Sequence, residues 1–163
     1  MGGYMGRFGI GSRAERTEDN RFLTGKGEFL DDITFEGAYC TVFVRSPVAH
    51  ANLVKIDIAD AMSISGVIAV FTENDLRSDG ISSLPTLAGD WVELTKADGS
   101  PSFSPNRPLL SKDKVRYVGE AVAMVIAKTE VAAQEGAEKV KVDYKVLKAV
   151  VDPADAMKSE AIH

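Results

Sequence analysis

One cysteine and two histidines are all that 163 residues supply of the side chains that most often ligate metals or pair with nucleophiles. With Cys40 alone, the chain cannot build an internal disulfide or an all-cysteine iron–sulfur or zinc site. Any metal chemistry it joins must be seated elsewhere. A basic surplus is also missing: 19 Lys and Arg stand against 24 Asp and Glu, a net charge of −5. That balance argues against a general nucleic-acid or anionic-membrane binder. Long apolar runs are absent too. The longest, Ala121–Ala127, is far too short to cross a bilayer. The opening residues lack the apolar stretch of a signal peptide. Gly2 is followed at position six by Gly, where myristoylation wants Ser or Thr. A cytoplasmic protein is expected. What remains is 45% hydrophobic and 26% charged, ordinary globular composition with enough chain to bury one core.

Four stretches differ in texture. Residues 1–38 are Gly-rich and charged, and read as an extended N-terminal arm. Residues 39–76 are dense in strand signals. Residues 77–108, rich in Ser, Gly, Pro and Asp, read as a long loop, and 109–158 return to strands and a helix. Tyr39–Arg45 is β-branched and aromatic, ended by Ser46-Pro47. Val54, Ile56 and Ile58 alternate with Lys55 and Asp57, the period-two pattern of a half-buried strand. A short helix is expected around Ala59–Ile64, stopped by Ser65-Gly66. The apolar run Val67–Phe71 reads as a strand buried on both faces, and Thr72 as the N-cap of a helical turn. Val115–Val118 and Ala121–Ala127 flank Gly119-Glu120, which predicts a type II′ hairpin. Thr129 can cap a helix whose Ala133, Gly136, Ala137 and Val140 form a narrow small-residue face. Val140, Val142, Tyr144 and Val146 then alternate as another strand. Strands and helices are mixed without strict alternation, which predicts an α+β fold: a mixed sheet with a few helices packed on it.

No catalytic constellation emerges from the residues. Gly9–Ala14 has the G-x-G-x-x-A form of a dinucleotide fingerprint, but no strand precedes it and no amphipathic helix follows. Gly25-Lys26-Gly27 with Asp31 and Asp32 lacks the Lys-Ser/Thr ending of a phosphate loop, and turn chemistry is the better reading. His50 lies between two strands with no Ser or Cys elbow in evidence; a histidine hydrogen-bonded into a turn is expected. Cys40 reads as a small apolar strand residue. The loop 77–108 exceeds thirty residues, a length that marks function or disorder. Within it Leu84–Trp91 sets the only Trp among turn formers, so these side chains should pack at home or on a partner.

Three blocks carry a family resemblance: Arg16–Asp32; Phe43–Ala51 with Ile56-Asp57 and Gly66–Thr72; and Pro108–Glu120 with Val142–Tyr144 and Val150–Pro153. Together they resemble the N-terminal a/b hammerhead domain of the molybdenum hydroxylase large subunit, the xanthine dehydrogenase, aldehyde oxidase and aerobic carbon monoxide dehydrogenase family. Leu84–Asp90 looks most like the carbon monoxide dehydrogenase branch. Ser65, Lys145 and Lys148 depart from a usual Pro, Glu and Pro.

The resemblance implies a hammerhead domain over 39–163, with no catalytic, cofactor or metal ligand of its own. It implies a large subunit whose molybdopterin cofactor and catalytic Glu lie in later domains, with [2Fe–2S] clusters and FAD in other subunits or domains. The chain would then pack on the molybdenum-binding remainder, and Leu84, Pro85, Thr86 and Leu87 would line the substrate channel. Carbon monoxide, an aldehyde, a purine and another N-heterocycle all remain open as substrates. A free-standing interaction module that kept the fold without redox chemistry is the alternative.

Overall fold

The alternating strand patterns and the small-residue helix face organise a computed structural model that describes residues 16–81, 83–86, 94–102, 105–156 and 158. The chain divides into two units, Met1–Ala38 and Tyr39–His163. The first carries helix α1 (Asp19–Leu23) and a 3₁₀ turn (Leu30–Asp32), so it is not extended throughout. Gly9–Ala14 lies outside the described residues.

The second unit holds two three-stranded sheets. One has the order β1 (Cys40–Arg45), β5 (Ala121–Ala127), β3 (Val67–Phe71), and the other β4 (Lys114–Val115), β2 (Ala51–Asp57), β6 (Lys141–Val146). Short helices α2 (Ala59–Met62) and α3 (Glu73–Ser78) flank β3; α4 (Glu130–Lys139) lies between β5 and β6, and α5 is Pro153–Ala156. The α+β class holds. Its strands are divided between two sheets, and every recorded strand pair is antiparallel.

Helix α4 follows the expected grammar. Thr129 Oγ1 accepts the Ala132 N–H at 3.2 Å, satisfying one orphan donor of the first turn. Ala132, Ala133 and Gly136 are buried. A Cβ at Gly136 would fall 2.9 Å from Val67 and 3.0 Å from Val125, so glycine lets the helix backbone settle onto β3 and β5. Around this contact Ala127, Ala132 and Ala133 form one apolar cluster, against which half-buried Cys40 packs. A second contains Ala61, Val70, Ala123, Val125 and Val140; a third joins Ala51, Val115 and Val122.

Three local expectations change. Val67–Phe71 is an edge strand with Ile68 exposed; the central, doubly covered strand is β5. The apolar run alone cannot distinguish a centre from an edge. The alternation through Val54 is interrupted, because β2 shifts register between Leu53 and Lys55 and leaves Val54 exposed. Such a bulge inserts one residue and changes the phase of the pleat. Val115 and Ala121–Ala127 do not form a hairpin: β4 pairs with β2, and β5 with β1 and β3. Between them Glu120 N–H reaches the Tyr117 carbonyl at 3.3 Å, and Gly119 has φ +90°. Glycine thus occupies the third position of a four-residue turn, as a type II turn requires. It carries the chain from one sheet to the other.

Candidate functional site

The long loop expected from its composition is closed at its base by backbone pairing. Leu84 N–H donates to the Arg107 carbonyl at 2.8 Å, and Arg107 N–H to the Leu84 carbonyl at 2.9 Å. Thr86 Oγ1 donates to the Pro105 carbonyl. Farther out, Thr95 and Pro101 form a second bridge. These bonds bring 83–86 beside 105–108, and none of the residues in these two segments is buried. Leu84 remains 51% exposed.

The opposite margin is laced to the sheets. Ser111 N–H donates to the Ala121 carbonyl, Ser46 N–H to the Glu120 carbonyl, and Gly119 N–H to the Ser46 carbonyl, each at 2.8 Å. Arg45 reaches the Gly119 carbonyl at 2.9 Å while its guanidinium lies over the Phe43 ring. The Glu120 side chain is only 6% exposed, and its carboxylate accepts the Arg116 N–H. A buried acid in that role closes the turn from inside, since an amide left without an acceptor there would be costly.

Between the two margins lies a cavity of about 900 Å³. Its lining includes Thr86 and Pro105 on one side and Lys114, Arg116, Tyr117 and Glu120 on the other. Arg107, Lys112, Lys114 and Arg116 bring four cations against Asp113 and Glu120. The chain as a whole is acidic, so this concavity is a local reversal of charge. It offers charge-assisted donors and one aromatic face, a lining suited to holding polar or anionic groups.

Of the four residues expected to line a channel, Thr86 lies on this cavity and Leu84 and Pro85 are in the segment that leads to it. Leu87 and Trp91 lie outside the described residues. Arg107, Arg116, Tyr117 and Glu120 were not singled out as site residues from the sequence. Glu120 reads there as a hairpin residue, and only its place in the Pro108–Glu120 block set it apart. His50 lies off the cavity lining. It is buried, with Nδ1 2.7 Å from the Lys148 carbonyl, and the Leu147 N–H donates to its own carbonyl. The ring thus bonds to a segment distant in sequence instead of its own turn, and its Nε2 is buried without a partner among the described residues. Among the described residues no group of three or more His, Cys, Asp or Glu is placed to hold a metal ion. No described helix is long and apolar enough to cross a membrane.

Two antiparallel sheets with a helix on one of them, joined by a turn carrying Tyr117–Glu120, define a hammerhead-type α+β domain. The family described as aldehyde oxidase and xanthine dehydrogenase, a/b hammerhead domain, matches residues 24–148, and the chain belongs to it. It is 40% identical over 144 residues to the nicotine 6-hydroxylase large subunit of Paenarthrobacter nicotinovorans, covering 88% of this chain and 16% of that protein. It is 39% identical over 153 residues to the carbon monoxide dehydrogenase large chain of Afipia carboxidovorans, covering 94% and 17%. The solved structure of a Cu,Mo-CO dehydrogenase in its carbon monoxide-reduced state superposes with a TM-score of 0.76 at 36% identity. That superposition covers 91% of this chain and 17% of the other. The chain therefore spans about one sixth of the length of the relatives it matches.

Proposed function

We propose that this chain is the hammerhead part of the large subunit of a molybdopterin-dependent oxidoreductase. In this reading it packs on the molybdenum-binding remainder, and its 84–87 segment walls the substrate path. The observation that supports it is the pairing of a one-sixth match to long oxidoreductase subunits with a basic cavity opening at the base of that segment. Residues 1–38 act as lead-in, and 39–163 form the hammerhead unit with the loop 77–108. Iron–sulfur and FAD subunits or domains complete the assembly, which works in the cytoplasm.

In the complete enzyme a molybdopterin cofactor seated on other domains would supply the oxidative hydroxylation. This chain's own residues bind and shape. The Leu84–Arg107 bridge and the Thr86–Pro105 hydrogen bond fix the loop base. Arg107 and Arg116 line the cavity, and Glu120 holds the turn that carries Tyr117.

The test uses the complete enzyme. Leu87→Ala and Thr86→Ala should shift the ratio of kcat/KM between a small and a bulky substrate by about tenfold, the effect of removing a few carbons from one wall of a substrate path. Molybdenum content should be unchanged. Equal specificity constants for every substrate tried would remove the wall role.

A further inference from the structure

The first unit presents a surface that its own fold does not use. Phe22, Leu23, Phe29, Leu30, Ile33 and Phe35 are all exposed within fourteen residues, Leu23 and Leu30 at 86% and Phe35 at 74%. None of the described side chains between residues 16 and 38 is buried. Single exposed apolar residues are ordinary, but a contiguous cluster marks an interaction surface.

The segment is nevertheless held in shape. Thr24 Oγ1 donates to the Asn20 carbonyl at 2.6 Å, Lys26 N–H to the Arg21 carbonyl at 2.9 Å, and Phe29 N–H to the Asp32 carboxylate at 2.9 Å. The Phe22 and Phe29 rings stack with centroids 5.9 Å apart. Gly27 makes room for that stack, since a Cβ there would fall 2.5 Å from the Phe22 ring. The knob is thus ordered by local bonds before anything covers it, which lowers the entropy cost of docking.

Two observations say what covers it. Residues 24–35 fall inside the family match, and the chain makes up only 16–17% of its relatives, so most of such a subunit lies outside these residues. Along residues 21–36 the four acids Glu28, Asp31, Asp32 and Glu36 outnumber the two cations Arg21 and Lys26, and Arg21 lies over the Phe22 ring. The complementary surface is an apolar groove with a basic rim.

We propose that residues 22–35 form a preordered knob that docks into such a groove on the same large subunit, built from polypeptide beyond residue 163. This rests on the reading of the chain as part of a longer subunit. The experiment places a photoreactive benzoyl-phenylalanine at position 30 or 35 of the large subunit in the assembled enzyme and maps the crosslinked peptides by mass spectrometry. Crosslinks to peptides beyond residue 163 are expected. Crosslinks confined to residues 39–163, crosslinks to another subunit, or none at all overturn the knob. A Leu30→Asp, Phe35→Asp double variant should lower the yield of assembled enzyme about tenfold, the size of effect typical of burying apolar anchors. Hydrogen-exchange protection of 39–163 should persist in that variant, and an unchanged yield would sink the proposal. The mass and molybdenum content of the unsubstituted subunit test the underlying reading separately. A long, molybdenum-loaded subunit whose crosslinks stay within 39–163 defeats the knob and leaves that reading intact.

Discussion

In the sheet β1–β5–β3, strand β5 alone buries Val122, Ala123, Val125 and Ala127, and helix α4 adds Ala132, Ala133 and Gly136. Between Ser83 and Glu120, by contrast, the described residues bury only Leu110, Ser111, Val115 and Glu120. The first region is held by apolar area removed from water and by close packing. The second is held by backbone bridges, turns and one internal carboxylate, with Leu110 and Val115 its only buried apolar side chains among the described residues. The difference teaches where sequence is constrained. Packing fixes side chains at every buried position, whereas a backbone bridge such as Leu84–Arg107 fixes the path of the chain and leaves its side chains free to face a ligand.

Three variants sharpen or break that contrast, from the largest effect down. Val125→Ala removes two buried methyl groups from beneath α4, and a loss of about 2–3 kcal/mol is expected, between the costs of one-methylene and Leu→Ala deletions. Cooperative chemical denaturation measures it, and a cost below that of an exposed substitution would show that this layer is not the packed region. Glu120→Ala leaves the Arg116 N–H without its acceptor, which costs about 1–3 kcal/mol. Its signature is local: hydrogen exchange should rise at Arg116 through Glu120 while α4 keeps its protection. Uniform loss of protection would mean that the two regions are not held separately.

The smallest effect is at the start of α3. The Thr72 hydroxyl, at 2.7 Å, and the Thr72 N–H, also at 2.7 Å, hold the Asp75 carboxyl below its ordinary 3.8. The folded state therefore binds this proton less readily than the unfolded chain, and the contribution is fully present above pH 3.8. It is lost as pH falls below 3.8 through the folded value. In Thr72→Val, NMR titration should find the Asp75 carboxyl moved back up toward 3.8, with a slightly shallower acid limb in the stability curve. An unmoved titration would assign the shift to something other than the cap.

The elements most legible in the sequence are those whose periodicity is set by burial on one face. The small face of α4, the Thr129 cap and the Val140–Val146 alternation as far as Tyr144 follow from residue spacing, while Val146 at the end of β6 is exposed. What pattern could not reveal is pairing. Gly119 demands a positive φ in the hairpin and in the observed turn alike, so the residue type does not say whether β4 and β5 are partners. Val67–Phe71 is apolar enough for a central strand, yet its position at an edge depends on β5, more than fifty residues later. At the site, loop length and family resemblance pointed to 84–87 as a channel wall, and of these Thr86 is among the residues lining the cavity. Arg107, Arg116 and Glu120 escaped notice because isolated charges carry no spacing signal, and only the folded chain gathers them.

The bulge in β2 has a consequence for length. Before it, Leu53 packs with Ala51, Val115 and Val122; after it, Ile56 packs with Ala61, Val70 and Val125. One strand is thereby read in two phases, and Val54 is the spare character between them. Deleting that residue would leave Leu53, Lys55 and Ile56 as an unbroken ladder against Tyr144, Asp143 and Val142, with Ile56 still on the face of Leu53. Loss of one residue is thus absorbed at the bulge, whereas loss of one residue elsewhere in β2 turns the residues beyond it to the other face.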